Sequence, residues 1–206
     1  MFPWSSGRRL WVRIPALRQM KRAFIVHGWG ADAQEDWFPW LEEQLKSRGF
    51  EVYIPNMPNT ETPRIEEWIP YLAKQIGKLD ENTYLVGHSI GCQTILRYLE
   101  TVEEKCGGVV LVAGWFKLKN LETKEEEIIA EPWENTPMDF EKIKTKGKFI
   151  AILSDNDEVV DVSNADVFKE KLNAGVVIES GQGHFNKSDG VTEVPLVLEK
   201  ILEISK

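Results

Sequence analysis

From Ala23 onward, two kinds of segment alternate along the chain. Short apolar runs rich in β-branched residues read AFIV (23–26), EVYIP (51–55), TYLV (83–86), GVVLVA (108–113), KFIAIL (148–153) and GVVIES (175–180). Between them lie stretches with helical spacing, at about 36–48, 63–79, 90–104, 122–130, 163–172 and 193–205. In the first of these, Trp37, Trp40, Leu41 and Leu45 share one face, and Gly49 follows as a stop. In the third, Ile95, Leu96, Leu99 and Val102 do the same. Near-continuous apolar strands alternating with helices predict a parallel sheet covered on both faces. The expected class is therefore α/β, with a mostly parallel six-stranded sheet in three layers. No internal repeat or low-complexity linker divides it, so residues 20–206 are expected to form one unit. In such sheets ligands bind beyond the carboxyl ends of the strands, so the residues just after each strand carry the candidate chemistry.

The composition narrows the partners. The net charge of −8 argues against a nucleic-acid surface, which needs clustered Lys and Arg, and reads as a solvated acidic exterior. No run of 18 apolar residues occurs, so no membrane-spanning segment is expected. The two cysteines, Cys92 and Cys106, form no CxxC spacing and no disulfide framework, and point to a reducing, cytoplasmic setting. The first nineteen residues differ from the rest, with four arginines and no acid. Without them the balance is 21 basic (25 − 4) against 33 acidic residues, or −12. This stretch is expected to be a disordered leader or extension outside the core. It lacks a continuous apolar core of secretory type, and a mitochondrial-type presequence is the minor alternative.

Gly87-His88-Ser89-Ile90-Gly91 stands where a strand meets a helix. A serine between glycines at such a junction suits a strained elbow that holds a hydroxyl at the sheet edge. After the first strand comes His27-Gly28-Trp29-Gly30, and after the fourth Gly114-Trp115-Phe116. The fifth strand leads to Ser154-Asp155-Asn156-Asp157, and the sixth to Gly181-Gln182-Gly183-His184. Serine, acid and histidine thus fall at one sheet edge in the order Ser, Asp, His, the chain order of a nucleophile-elbow hydrolase. A serine hydroxyl becomes a nucleophile when a histidine removes its proton and a carboxylate orients that histidine. Of the three histidines, His88 is expected to pack beside the elbow and His27 to brace the loop after the first strand. His184, on a Gly-rich loop after the last strand, is the expected base. Asp155, Asp157 and Asp161 all lie near the fifth strand's end. Asp157 is the preferred acid, with Asp155 read as a turn or cap residue. The N–H groups of Ile90 and Trp29 are the expected oxyanion donors. Trp115 and Phe116 are candidate pocket walls.

HGWGADAQEDWFPWLEEQL, NMPN…PRIEEW, NTYLVGHSIGCQTILRYLE and SDNDEVV…GHF resemble the small serine hydrolases of the YdeN-like and retinoblastoma-binding protein 9-like group. The resemblance covers about residues 21–203. It implies an α/β-hydrolase fold with little or no cap domain, and a triad carried onto Ser89, Asp157 and His184. The group usually has proline after its DxxV segment, where this chain has Asp161.

The resulting expectation is a serine hydrolase, carboxylesterase-like, that cleaves an ester, thioester or amide of a small acyl substrate through an acyl-serine intermediate. The competing class is a non-catalytic protein-interaction module on the same fold; the LxCxE string tied to such a role in the group does not occur. A dehalogenase reading fails because the elbow carries serine rather than aspartate. With no dinucleotide fingerprint, phosphate loop or metal-ligand spacing, no cofactor and no metal are expected. The segment from Lys117 to Gly147 is too short for a large lid, so an open, shallow site with a short mobile helix beside it is expected.

Overall fold

A computed structural model describes residues 20–206; the expectation for residues 1–19 lies outside the described residues. Six strands form one sheet: β1 (Lys21–Val26), β2 (Phe50–Tyr53), β3 (Thr83–His88), β4 (Gly108–Val112), β5 (Phe149–Ser154) and β6 (Gly175–Glu179). Their spatial order is β2-β1-β3-β4-β5-β6, and all five pairings are parallel. Between and after them run α1 (Phe38–Lys46), α2 (Ile65–Ile76), α3 (Ile90–Thr101), α4 (Lys124–Asn135), α5 (Phe140–Ile143), α6 (Asn164–Leu172) and α7 (Pro195–Ile204).

Strand residues point alternately to opposite faces, and the two faces feed two separate cores. Phe24, Val26, Leu85, Val109, Leu111, Ala151 and Leu153 pack against α2, α3 and α6, together with Trp133 of α4 and Ile143 of α5. Ala23, Ile25, Val86, Val110, Val112 and Ile152 pack against Trp37, Phe38, Leu41 and Leu45 near or on α1 and against Val197 and Ile201 on α7. Both faces of β3 and β4 are buried, which is why these strands read as unbroken apolar runs.

The strand order places the site. The chain moves from β1 outward to β2, then returns to lay β3 on the other side of β1. The loops leaving β1 and β3 therefore diverge at adjacent carboxyl ends, the switch point where such sheets hold ligands. The Ser89 elbow and the His27–Gly30 loop are those two loops.

Two helical features depart from the sequence expectation. α4 runs on to Asn135 through Pro132, where a stop near residue 130 is expected from the pattern. Proline cannot donate to the carbonyl four residues back, so it usually ends such a pattern. Here buried Trp133 donates its indole N–H to Pro63 O at 3.0 Å, and Arg97 reaches the carbonyls of Trp133 and Thr136 at 2.8 and 2.9 Å. The helix is also fixed at its start by a reciprocal capping box between Thr123 and Glu126. The expected short mobile helix is thus a capped helix with a core anchor. The short α5 was not signalled by any periodic run.

α3 approaches β1 so closely that only glycine fits at position 91: a Cβ there would lie 2.2 Å from Val26 O. Gly91→Ala is expected to lower unfolding free energy by about 2–3 kcal/mol or more, as overpacking against rigid backbone does. Gly175→Ala, whose added Cβ meets nothing nearer than 3.9 Å, is the matched control and should stay within about 0.5 kcal/mol. Urea unfolding of both variants checks the contrast.

Candidate active site

The elbow begins with the backbone. Ser89 has φ 52 and ψ −121, a region that L-residues rarely enter. Its own N–H continues the β3–β4 ladder to Val112 O at 2.9 Å, and its carbonyl accepts from Cys92 N at 3.0 Å. Gly87 is needed because a Cβ there would meet Cys92 N at 2.7 Å. Ser89 and Gly28 thereby meet at the floor of a cleft of about 800 Å³.

The loop after β1 is pinned by the loop after β2. Met57 N donates to His27 Nε2 at 3.0 Å, Gly30 N to Thr60 O at 2.9 Å, and Ala33 N to Asn56 Oδ1 at 2.9 Å. Trp29 Nε1 donates to Glu61 O at 3.0 Å. This ladder of four bonds explains the NMPN segment: it is the strut that fixes residues 27–33. The amides of Trp29 and Ile90 donate to no other group among the described residues. Trp29 lines the cleft, whereas Ile90 is fully buried and does not line it.

Asp157 and His184 come together after β5 and β6. His184 Nδ1 lies 2.8 Å from Asp157 Oδ2, and that carboxylate side chain is 1% exposed. The other oxygen, Oδ1, accepts from Val159 N and Val160 N, each at 2.9 Å. Burial pushes the Asp157 carboxyl up, but the imidazole and the Val160 and Val159 amides outweigh it and hold the carboxyl below its ordinary value. Asp155 and Asp161 do other work. Asp155 accepts from Gly181 N at 2.9 Å, and Asp161 caps Ser163 N at 2.9 Å and meets Lys119 Nζ at 3.4 Å. At position 161, where the resemblance led to an expectation of proline, Asp161 supplies this cap to the turn before α6.

Four successive amides in the histidine loop each find a side-chain oxygen. Gly181 N goes to Asp155, Gln182 N to Ser154 Oγ, Gly183 N to Asn156 Oδ1 and His184 N to Asp189 Oδ2, at 2.9, 3.0, 2.8 and 2.7 Å. Gly183, at φ +55, sits against Asp189 so tightly that a Cβ would fall 2.3 Å from its carboxyl carbon. Asp189 is the last residue of a short 3-10 turn, Lys187–Asp189, and no sequence motif marks it. Its role depends on contact with residue 184. No hydrogen bond joins Ser89 to His184 among the described residues; both line the same cleft. Such bonds are often long without a ligand and tighten when substrate binds.

Of the two candidate pocket walls, Trp115 lines the cleft, and Phe116 does not. Phe116 N is held by Asn164 Oδ1 at 2.8 Å, and its ring turns into the core against Phe168 and Phe140, at 4.8 and 5.5 Å. The far wall comes from Leu118, Asn120, Leu121 and the α4 residue Glu126. Lys119 N→Val159 O and Asn120 Nδ2→Glu158 O tie this segment to the acid loop, at 2.9 and 2.8 Å. Among the described residues no cluster of His, Cys, Asp or Glu suits a metal ion, and no helix is long and apolar enough to cross a membrane.

A parallel sheet with an elbow serine at its switch point and a paired Asp and His at the same edge defines the α/β-hydrolase class. The chain belongs to the serine hydrolase family, whose model matches residues 23–203. It is 35% identical over 183 residues to YdeN of Bacillus subtilis, which is assigned as a hydrolase; the match spans 87% of this chain and 93% of YdeN. The crystal structure of that protein superposes with a TM-score of 0.82 at 33% identity, covering 89% of this chain and 98% of the other. The serine hydrolase RBBP9 of Rattus norvegicus is 27% identical over 172 residues, 82% of this chain and 89% of that one.

Two histidines beside the cleft carry a pH consequence. His27 and His88 are both pushed down by burial, His88 to about 3 from an ordinary 6.5. Folded, His88 stays neutral well below pH 6.5 and His27 binds a proton less readily than when unfolded; unfolded, both take up protons below about pH 6.5. The unfolded chain then binds more protons, so stability falls as pH drops from there toward the folded values. The Asp157 carboxyl adds a loss of the same sign lower down, as pH falls from 3.8 through its depressed value. Urea unfolding at about pH 7 and about pH 4.5 should show this decline, and His88→Gln should make it shallower.

Proposed function

We propose that Ser89, His184 and Asp157 are the nucleophile, base and acid of a carboxylesterase-type hydrolase acting on small acyl substrates. The observation that carries this reading is the His184 ring. Asp157 holds Nδ1 at 2.8 Å, which directs Nε2 toward a cleft that Ser89 also lines. A substrate ester lies with its acyl carbon over Ser89 Oγ. Oγ attacks that carbon as its proton passes to His184 Nε2, and the carbonyl π electrons move onto oxygen. The resulting oxyanion meets the unengaged N–H groups of Trp29 and Ile90. Collapse of the tetrahedral intermediate breaks the bond to the leaving alcohol, which takes the proton from His184. Water, deprotonated by the same imidazole, then attacks the acyl-Ser89 ester; collapse releases the acid and returns the proton to Oγ. Asp157 stays ionised throughout and stabilises the imidazolium. Trp115 forms part of the acyl wall, and ester, thioester and amide differ only in the leaving group. The hydrolase unit spans residues 20–206, and two buried free thiols suit a reducing, cytoplasmic setting.

Ser89→Ala should abolish labelling by a fluorophosphonate probe and hydrolysis of p-nitrophenyl acetate, with an unchanged circular dichroism spectrum. Failure of the wild-type protein to label would favour the non-catalytic interaction module instead. Asp157→Asn should cost about 10³–10⁴ in kcat, because an amide no longer enforces the productive tautomer. Asp155→Asn, which keeps an oxygen for Gly181 N, should cost less than about tenfold; steady-state kinetics on both variants would expose a reversed assignment of the acid.

A further inference from the structure

His88 lies inside the serine motif, and no step above uses it. It ends β3, is 3% exposed and borders the same cleft as Ser89. The rings of Trp37, Phe38 and His184 surround it at 5.9, 5.8 and 5.1 Å. Packing alone would be served as well by phenylalanine. Two polar details argue for more.

His88 Nε2 lies 2.8 Å from the carbonyl oxygen of His184. A carbonyl only accepts, so Nε2 carries the proton. Nδ1 then holds a lone pair, and no donor reaches it in its buried position. It faces Gly28, where an added Cβ would stand 3.1 Å from Nδ1 and 3.6 Å from Cε1. Gly28 immediately precedes Trp29, one of the proposed oxyanion donors. A buried ring nitrogen left without a partner is costly, and nothing offsets that cost except the bond made by the other nitrogen. The ring thus touches the backbone of the base on one side and the loop after β1 on the other.

We propose that His88 is a positioning residue: a neutral imidazole wedge, protonated at Nε2, that holds His184 at its working distance from Ser89 and from the Trp29 amide. The proposal rests on the triad reading above. Asp157 fixes the tautomer and the tilt of the His184 ring, but a single contact at Nδ1 leaves the ring free to swing about that contact. The backbone of His184 is held separately, its N–H by Asp189 at 2.7 Å and its carbonyl by His88. The charge state matters too. The titratable groups facing His88 are His184, Asp157 and His27; burial, reinforced by the two imidazoles, keeps the His88 ring neutral against the pull of Asp157. When His184 takes the serine proton, its neighbour therefore neither competes for that proton nor repels the imidazolium.

The test uses the full chain with His88→Phe, which keeps the ring and drops the donor, and His88→Gln, which keeps an N–H donor. His88→Phe should melt within several degrees of wild type. Its kcat should fall by roughly 10- to 100-fold, the scale of a 1 Å misplacement of a catalytic group, with KM within about twofold. The fluorophosphonate labelling rate should fall in parallel, and His88→Gln should recover most of both. A His88→Phe variant within about threefold of wild-type kcat, or a His88→Gln variant no better than it, overturns the wedge while leaving the triad standing. An independent readout covers a His88→Phe protein that does not fold: ¹⁵N NMR of wild type should show a neutral His88 ring protonated at Nε2 down to about pH 4.5. The Nδ1-protonated form, or a charged ring at that pH, overturns the proposal. Retained activity in Ser89→Ala would sink the triad reading and is read separately from either result.

Discussion

The structure depends on a backbone conformation that its residue does not favour. Ser89 at φ 52 and ψ −121 carries a strain of about 1–3 kcal/mol, which persists only where the surroundings leave no alternative. The surroundings here are the two ends of a tightly joined strand and helix. β3 is buried on both faces, and α3 buries ten consecutive residues from Ile90 to Leu99. Relaxing Ser89 would pull one or the other out of the core. The glycines at 87 and 91 follow from this constraint, since the turn brings α3 onto the backbone of Val26 and the chain of Gly87 onto Cys92. The elbow is sharp because two well-packed elements meet there without a connecting loop.

The same economy of motion governs the loops around the elbow. Loops that carry function are commonly the mobile part of a fold. Here each is stitched to a neighbour by directed polar bonds. Residues 27–33 are tied to 56–61, 181–184 to 154–156 and 189, and 118–120 to 158–160. Four other residues without glycine's freedom sit at positive φ beside the cleft: Asp36, Ala113, Asn120 and Phe185. Phe185 is held by Trp37, whose indole N–H reaches its carbonyl at 2.9 Å. Positive-φ residues are thus spread around the rim of the site rather than confined to the elbow.

This division explains what the sequence made legible. Strand positions, the burial of the central strands and the placing of Ser89, Asp157 and His184 at one sheet edge follow from local pattern and chain order, because hydrophobic period and turn chemistry are local properties; the edge strand β6 reads as an apolar run yet buries none of its residues. What stayed hidden depends on partners far away in the chain. Phe116 looks like a pocket residue until Phe140 and Phe168 claim its ring. Pro132 looks like a helix stop until Trp133 finds Pro63 and Arg97 closes the helix end. Asp189 looks like an ordinary loop acid until Gly183 and His184 fold onto it. The NMPN segment marked a family, yet its work as a strut appears only when β1 and β2 are neighbours.

Residue type alone distributes no roles, as the three histidines make plain. All three stand within the same small region, and all have the same ordinary titration range. His27 uses both ring nitrogens, one toward Gly28 O and one accepting from Met57 N, so it has no capacity left for a reacting proton. His88 uses one nitrogen on a carbonyl and keeps the other sealed from solvent. His184 alone is bound at one nitrogen by a buried carboxylate and lies on the wall of the cleft, so its second nitrogen has somewhere to send or receive a proton. The three acids at the end of β5 are sorted by the same rule. Asp155 and Asp161 spend their oxygens on exposed turns, and only Asp157 has one oxygen locked by backbone amides and the other on an imidazole. A group becomes able to do chemistry when every other demand on it has been met by the fold, and one valence has been left facing the cleft.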